Sequence, residues 1–327
     1  MKDKFPGSVI NKDRYSRFDQ RKNVFGRIKH DEEAPFYHRG MYDRVNEFLD
    51  KREGYSSFQL ARALGGWSVY DYYAAAFQVK KPAESNNIME KPVLEPPYDD
   101  PETLTEELKR SALAYGASSV GVTEIDSRWV YSYDREGDSL DGLLNYDYAA
   151  VMTVPMDPAK INQSPKFPAA TESGISYSLM AFLVSCLSEY INRLGFKAVP
   201  MGNDSALSIP LALAAGLGQL GRNGLLITPE HGAAVKICKV FTDMNLKPDT
   251  PSSPTLTKSC RNCKLCAEAC EVDAISKKRN PLYRTACPAN NEGILRWPVD
   301  HYRCYEFWLE NGSDCSTCIA ACPHTPD

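Results

Sequence analysis

The chain has 327 residues, a formal net charge of −4, and 43% hydrophobic against 24% charged residues. That length favours two domains over one, and that composition supports a packed globular core. The acidic balance argues against a nucleic-acid partner, which would require a basic face to neutralise phosphates.

No stretch reads as a membrane span. The longest uncharged run, residues 205–221, falls short of the ~20 apolar residues required and is broken by Pro210, Gly216, Gly218 and Gly221. The opening Met1-Lys-Asp-Lys-Phe-Pro6 has no apolar signal core and no twin arginine, so no export signal is read there.

Residues 1–80 are polar and aromatic with weak periodicity. A short helix is predicted from Phe58 to a stop at Gly65, followed by Trp67, Tyr70, Tyr72 and Tyr73. Pro82, Pro92, Pro96, Pro97 and Pro101 mark an extended connector over 81–102. Thr103 and Glu106 then form a capping-box signature, Leu104, Leu108 and Ala112 recur at helical spacing, and Gly116 closes that helix. Strands are predicted at 119–122 and 148–154, a long helix at 171–194 stopped by Gly195, and a strand near Ala198. An apolar helix follows at 206–217, with Asn203 and Asp204 as its N-caps. Two strands, 225–228 and 235–241, are read as joined by Pro229-Glu-His-Gly232. This alternation predicts an α/β (α+β) layered core over 101–246, an N-terminal segment 1–100 packing on it, and a cysteine-rich domain over 247–327 entered by a proline-rich link.

Eight of the eleven cysteines are spaced as metal ligands. Cys260-x2-Cys263-x2-Cys266-x3-Cys270 is the spacing of bacterial two-cluster ferredoxins, in which three thiolates hold one cluster and the fourth crosses to the other. A partial copy, Cys315-x2-Cys318-x3-Cys322-Pro323, lacks its leading cysteine, and Cys304 substitutes for it. The cross-pairing rule assigns Cys260, Cys263, Cys266 and Cys322 to one [4Fe–4S] cluster, and Cys270, Cys304, Cys315 and Cys318 to the other. Zinc and disulfides are the competing uses of such cysteines, although neither needs a triplet followed by x3-C. Glu271 departs from the pattern, standing where proline is usual. Cys186, Cys238 and Cys287 are left over and read as ordinary buried thiols. On spacing alone the protein transfers electrons.

Gly216-Leu-Gly218-Gln-Leu-Gly221 matches G-x-G-x-x-G, but a helix is predicted before it and a strand after it, the reverse of a dinucleotide fingerprint. The glycines instead signal a close backbone approach, either to a packed helix or to a large flat cofactor. Tyr177 on the long helix, Asn203 before the apolar helix and Lys236 in a strand are the sparse polar residues nearby. Read as residues alone they are surface or capping groups.

Taken together, the stretches Ser127-Arg-Trp-Val-Tyr-Ser132, Gly202-Asn-Asp-Ser-Ala-Leu-Ser-Ile-Pro210, the run from Ala215 to Glu230, Cys238-Lys-Val-Phe-Thr-Asp243 and the run from Cys304 to Gly312 resemble the respiratory reductive dehalogenases, from about residue 98 to 323. The resemblance implies a nitroreductase-like core binding cobalamin, a corrinoid, joined to a ferredoxin-like domain with two [4Fe–4S] clusters. It implies reductive removal of halogen from an organohalide, in organohalide respiration. The absence of a D-x-H-x-x-G motif suits a base-off corrinoid with no protein histidine below the cobalt. By the same resemblance Tyr177 is the proton donor, Asn203 its pocket neighbour, and Lys236 the basic residue beside the tyrosine. A nearby ammonium would make a phenol, ordinarily with pKa about 10, a better acid. Gly216, Gly218, Gly221, Asn223 and Gly224 would let backbone lie against the corrinoid, and Trp308 would wall the pocket. The family is exported and associates with a membrane-anchor subunit or another redox donor. This chain carries no twin-arginine leader and ends at Asp327, four residues after Pro323, whereas family members continue further. The alternatives are another cobalamin-linked reductase, similar to the epoxyqueuosine reductases, and a non-catalytic iron–sulfur carrier.

Overall fold

The structure is a computed structural model that describes residues 9–76, 93–96, 98–254 and 256–326. The first eight residues, Pro82, Pro92 and Pro97, and the side chains of Tyr72 and Tyr73 lie outside the described residues. In chain order the regular elements begin with α1 (Val24–His30), α2 (Ser57–Ala76), α3 (Pro101–Ala114), β1 (Ser119–Glu124) and β2 (Tyr148–Pro155). Next come α4 (Pro158–Ile161), α5 (Phe167–Arg193), β3 (Ala198–Met201), α6 (Ser208–Ala214), β4 (Gln219–Leu220), β5 (Leu226–Ile227) and β6 (Val235–Thr242). The C-terminal part holds three short helices, α7 (Leu265–Glu268), α8 (His301–Asn311) and α9 (Thr317–Ala320).

Four strands form a sheet in the order β1-β2-β6-β3, with every neighbouring pair antiparallel. Side chains alternate across a strand, and β2 sorts its residues accordingly. Ala150, Met152 and Val154 face a cluster containing Leu104, Leu108 and Ala112 of α3 and Met180, Leu183 and Leu187 of α5. Ala149 and Val151 face the opposite cluster, which contains Trp129, Leu143 and Leu211. Both faces of the sheet are therefore covered, which gives the chain its mixed α/β layers. α5 is long and apolar enough to cross a membrane by composition, yet half of that window is buried inside the protein, where the helix packs on α2, β3 and β6. It is the core helix.

Several element boundaries differ from the sequence expectations, each for a physical reason. The connector ends earlier than residue 102, because Pro101 is the first residue of α3, where its missing N–H costs nothing. Asp100, not Thr103, caps that helix by accepting from the Thr103 backbone N–H. α5 likewise begins earlier, at Phe167, with Pro168 in its first turn. The apolar helix shrinks to α6, whose N-cap Leu207 gives no side-chain hydrogen bond, so Asn203 and Asp204 are not its caps. The strand read at 225–228 pairs as β5 with β4 in a separate two-stranded ribbon, not with β6. The proline-rich link is pinned at Asp249, which accepts from Val122 N at 2.7 Å and pairs with Lys109 at 2.6 Å.

The largest departure is α2, which runs through Gly65 and Gly66 instead of stopping there. Tertiary packing overrides the glycine propensity. A Cβ on Gly66 would lie 3.1 Å from Thr171 O, and one on Gly174 would lie 2.6 Å from Trp67 Cδ1 and 2.9 Å from Trp67 N. The two glycines let α2 and α5 approach closely enough to set Trp67 and Tyr70 against Tyr177.

The C-terminal part folds around its cysteine loops. α7 packs against α9, so the two cysteine motifs adjoin. α8 is capped by Asp300, which accepts from Tyr302 N and Arg303 N, and is ended by Gly312 at φ 68°. The N-terminal segment packs on both parts: Val24, Ala34 and Phe36 join Tyr305 and Leu309, while Ile10 joins the Trp129 cluster. Gly174→Ala is expected to destabilise the protein by roughly 1–3 kcal/mol through overpacking and to disturb the Trp67 stack. A lowered melting temperature with an altered near-ultraviolet circular dichroism band is the readout, and an unchanged band would contradict this packing.

Candidate active site

Tyr177 sits on α5, one helical turn beyond Ser173, and faces a cavity of about 630 Å³. Trp67 stacks on its ring at 4.6 Å between centroids, and Tyr70 meets the ring edge-on at 4.9 Å. Asn203 Nδ2 donates to the Tyr177 hydroxyl oxygen at 3.3 Å. Lys236 comes from β6 below; its ammonium lies over the Tyr177 ring, 4.9 Å from the centroid, and donates to Ser173 Oγ at 3.1 Å. A cation–π contact of this kind contributes about 0.5–2 kcal/mol. Three residues separated in sequence, on a helix, a loop and a strand, thus meet at one wall of the cavity.

The same cavity is also lined by sulfur. Cys270, Cys304, Cys315 and Cys318 line the same cavity, while Cys260, Cys263, Cys266 and Cys322 surround a second, small pocket. All eleven cysteines are free thiols, so the disulfide alternative is not realised. Among the described residues no three His, Cys, Asp or Glu side chains converge on a single-ion site. Burial pushes the Cys266 and Cys304 thiols up to about 12. Ionised sulfur at these positions therefore calls for a cationic partner. Cys304 and Trp308 lie one turn apart on α8, and Trp308 lines the cavity with its buried indole N–H toward the Cys304 sulfur. Of the leftover cysteines, Cys238 is buried in the sheet, its thiol pushed up to about 12 by desolvation, and Cys287 sits in the cluster under α8.

The glycine motif divides. A Cβ on Gly216 would lie 2.6 Å from Thr250 O, and one on Gly218 2.3 Å from Ile227 O. On Gly221 it would lie 2.8 Å from Asn223 Oδ1. These three glycines are accounted for by protein packing, and none lines the cavity. Gly224 has φ +77° and only Val299 near its Cβ direction, and Asn223 lines the cavity.

Two further residues escaped the sequence reading. Lys239, on β6, is wholly buried on the face opposite Lys236 and donates to Gly202 O (2.7 Å), Asp204 O (2.8 Å) and Ser208 Oγ (3.1 Å). It brackets Asn203 and holds that loop, in which Ser205 takes φ 60°. Desolvation lowers its pKa to about 8. Arg222, in the β4–β5 turn, is 1% exposed and lies over Trp297. It donates to the carbonyls of Cys263 (2.8 Å), Ser276 (2.6 Å), Lys278 (2.7 Å) and Cys260. A lysine in an otherwise apolar strand and an arginine inside a glycine-rich run were the signals available.

One cavity thus holds Tyr177, Asn203 and Lys236 together with Cys270, Cys304, Cys315 and Cys318, and the other four cysteines surround a separate pocket. No family model matches the chain. It is 34% identical over 267 residues to a tetrachloroethene reductive dehalogenase of Desulfitobacterium hafniense, across 69% of this chain and 48% of that protein. It is 31% identical over 260 residues to the tetrachloroethene reductive dehalogenase of Sulfurospirillum multivorans, across 70% of this chain and 52% of that protein. The chain belongs to the reductive dehalogenase family. It spans about half the length of these curated relatives. The solved catabolic reductive dehalogenase NpRdhA shares the fold, with a TM-score of 0.75 at 21% identity, over 98% of this chain and 44% of that one. The epoxyqueuosine reductase of Listeria monocytogenes is more distant, 29% identical over 150 residues, 44% of this chain and 36% of that protein.

Removing either missed residue has a stated expectation. Lys239→Met leaves buried carbonyls without a donor and should lower stability by roughly 2 kcal/mol. The lysine carries its proton to 10.5 ordinarily but only to about 8 here. Its contribution to stability is thus complete above 10.5, is lost as pH falls through 8, and rises with pH between. Melting temperatures of parent and variant across that interval isolate the slope; identical slopes would refute it. Arg222→Met strips a donor from four carbonyls and should cost roughly 3–5 kcal/mol, read by denaturant unfolding. Arg222→Lys should cost less.

Proposed function

We propose that the chain is the catalytic core of a reductive dehalogenase that replaces a carbon-bound halogen of an organohalide by hydrogen, consuming two electrons and one proton and releasing halide. The observation that carries this reading is the shared cavity, lined by Tyr177, Asn203 and Lys236 together with Cys270, Cys304, Cys315 and Cys318. The two relatives above are named tetrachloroethene reductive dehalogenases, so a chlorinated alkene is the substrate class proposed.

The cofactors proposed are cobalamin in the cavity and two [4Fe–4S] clusters, held by Cys260, Cys263, Cys266 and Cys322 and by Cys270, Cys304, Cys315 and Cys318. A corrinoid bound there would supply the low-potential metal chemistry that breaks a carbon–halogen bond, fed with electrons by the clusters. The cavity has the size of a cofactor-and-substrate site. The Trp308 N–H, beside the Cys304 sulfur, offers a donor to a thiolate ligand. The nitroreductase-like description of the core and the ferredoxin-like description of residues 247–327 belong to the same proposal, as does an exported protein served by a membrane-anchor subunit.

The protein's own part is proton delivery and exclusion of water. Asn203 donates to the Tyr177 oxygen, so the phenolic proton is free to point into the cavity. When that proton leaves for carbon, the charge left on oxygen faces an amide N–H and the Lys236 ammonium. Trp67 and Tyr70 pack the tyrosine so that its hydroxyl has one direction to take.

Reconstituted protein is expected to hold about eight iron and one cobalt per chain. It should release halide from chlorinated alkenes with reduced methyl viologen as donor. Tyr177→Phe should lower that rate by about 100-fold or more while keeping metal content, because it removes only the donated proton. Stoichiometric zinc, or full activity in the phenylalanine variant, would sink the reading.

A further inference from the structure

The chain is acidic overall, yet its charge is unevenly placed. Residues 258–284 carry seven Lys and Arg against three Asp and Glu, a local net of +4 in a chain whose total is −4. Lys277 is paired with Asp273 at 2.6 Å. Among the described residues Lys258, Arg261, Lys264, Lys278, Arg279 and Arg284 make no ion pair, and all but the half-buried Lys264 are exposed.

The loops that carry Lys258, Arg261, Lys264 and Lys278 are brought together by Arg222. Its guanidinium bonds the carbonyls of Cys260 and Cys263 on one side and those of Ser276 and Lys278 on the other, so the loops 258–264 and 276–279 lie side by side. The first of these loops lines the pocket of Cys260, Cys263, Cys266 and Cys322, in which Cys263 is part-exposed. Leu265, 49% exposed, and the exposed Pro323 lie beside these cysteines in the chain. A surface on which unpaired cations outnumber the exposed Glu268 and Glu271, with exposed apolar residues beside a redox group near the surface, suits a transient electron-transfer interface.

We propose that this face docks a small acidic one-electron carrier protein, an iron–sulfur or flavin carrier, which reduces the group held by the Cys260 set. The proposal rests on the reading of those cysteines as cluster ligands. One electron leaves the reduced carrier and arrives on the oxidised cluster, with no proton required. The position agrees with the direction of flow. The Cys260 set lies away from the Tyr177 cavity and the Cys270 set lines it, so an electron entering at the rim passes the first group on its way inward.

Rapid mixing of the cluster-loaded chain with reduced flavodoxin, as the acidic probe, and with reduced methyl viologen, a small dication, separates the possibilities. For the unaltered chain the flavodoxin rate is expected to fall steeply as ionic strength rises from about 0.01 to 0.5 M, while the viologen rate does not fall. The variant Lys258→Glu/Arg261→Glu/Lys264→Glu/Lys278→Glu should lose about tenfold or more of the flavodoxin rate at low salt, with unchanged iron content and no loss of viologen rate. If that variant loses iron, Arg261→Glu and Lys278→Glu singly, with the salt dependence of the unaltered chain, decide. A flavodoxin rate indifferent to both salt and charge reversal overturns the proposal. So does binding of an RNA stem-loop or anionic vesicles through these cations with the flavodoxin rate unchanged. Clusters that viologen itself cannot reduce overturn instead the reading of the cysteines on which the proposal rests.

Discussion

The register of β6 is the constraint on which the rest of the site depends. A strand sends alternate side chains to opposite faces, so Lys236 and Lys239, three residues apart, must point opposite ways. One reaches over the Tyr177 ring on the α5 side, and the other reaches the carbonyls around Asn203 on the α6 side. A slip of one residue against β2 would bury Lys236 among the Trp129 cluster and strip the loop of its anchor. The slip is opposed by the full antiparallel pairing from Tyr148↔Thr242 to Pro155↔Val235. A single strand thus sets both the cation at the tyrosine and the amide that hydrogen-bonds it.

The second requirement is close approach of two helices. α5 carries Tyr177, but the aromatic floor comes from α2, and only glycines at 66 and 174 let those backbones come near. The site is assembled from a strand that fixes charge and a helix pair that fixes the ring. The sulfur-bearing part of the chain also lines the cavity, through α8 and α9, and its Asp314 faces Lys236 and Ser173.

How much of this was legible in the sequence follows from how local each signal is. The α3 stripe Leu104, Leu108 and Ala112 is buried as its spacing requires, and the long helix, the strands at 119, 148 and 235 and the grouping of the eight cysteines were all readable. Those features depend on periodicity or on short spacings. The stop placed at Gly65 failed because a contact with α5 outweighs glycine's poor helix propensity, and no local pattern records that contact. Gly216, Gly218 and Gly221 were open to two readings from spacing, and the backbone carbonyls of Thr250 and Ile227 decide for packing at the first two. Tyr177, Asn203 and Lys236 were named through a family likeness, because residues 26 and 33 positions apart meet only in the folded chain. Lys239 and Arg222 went unread, since nothing in a strand pattern or a turn says what a buried cation will hold.

Arg222 carries a consequence for how the molecule comes apart. Its turn belongs to the β4–β5 ribbon, while its four acceptors belong to loops of the cysteine region. The guanidinium is sealed under Trp297 with no carboxylate among its bonded partners. Pulling the cysteine loops off the ribbon would leave four carbonyls without their donor at one stroke, so a single buried cation latches the sulfur-bearing loops to the layered core.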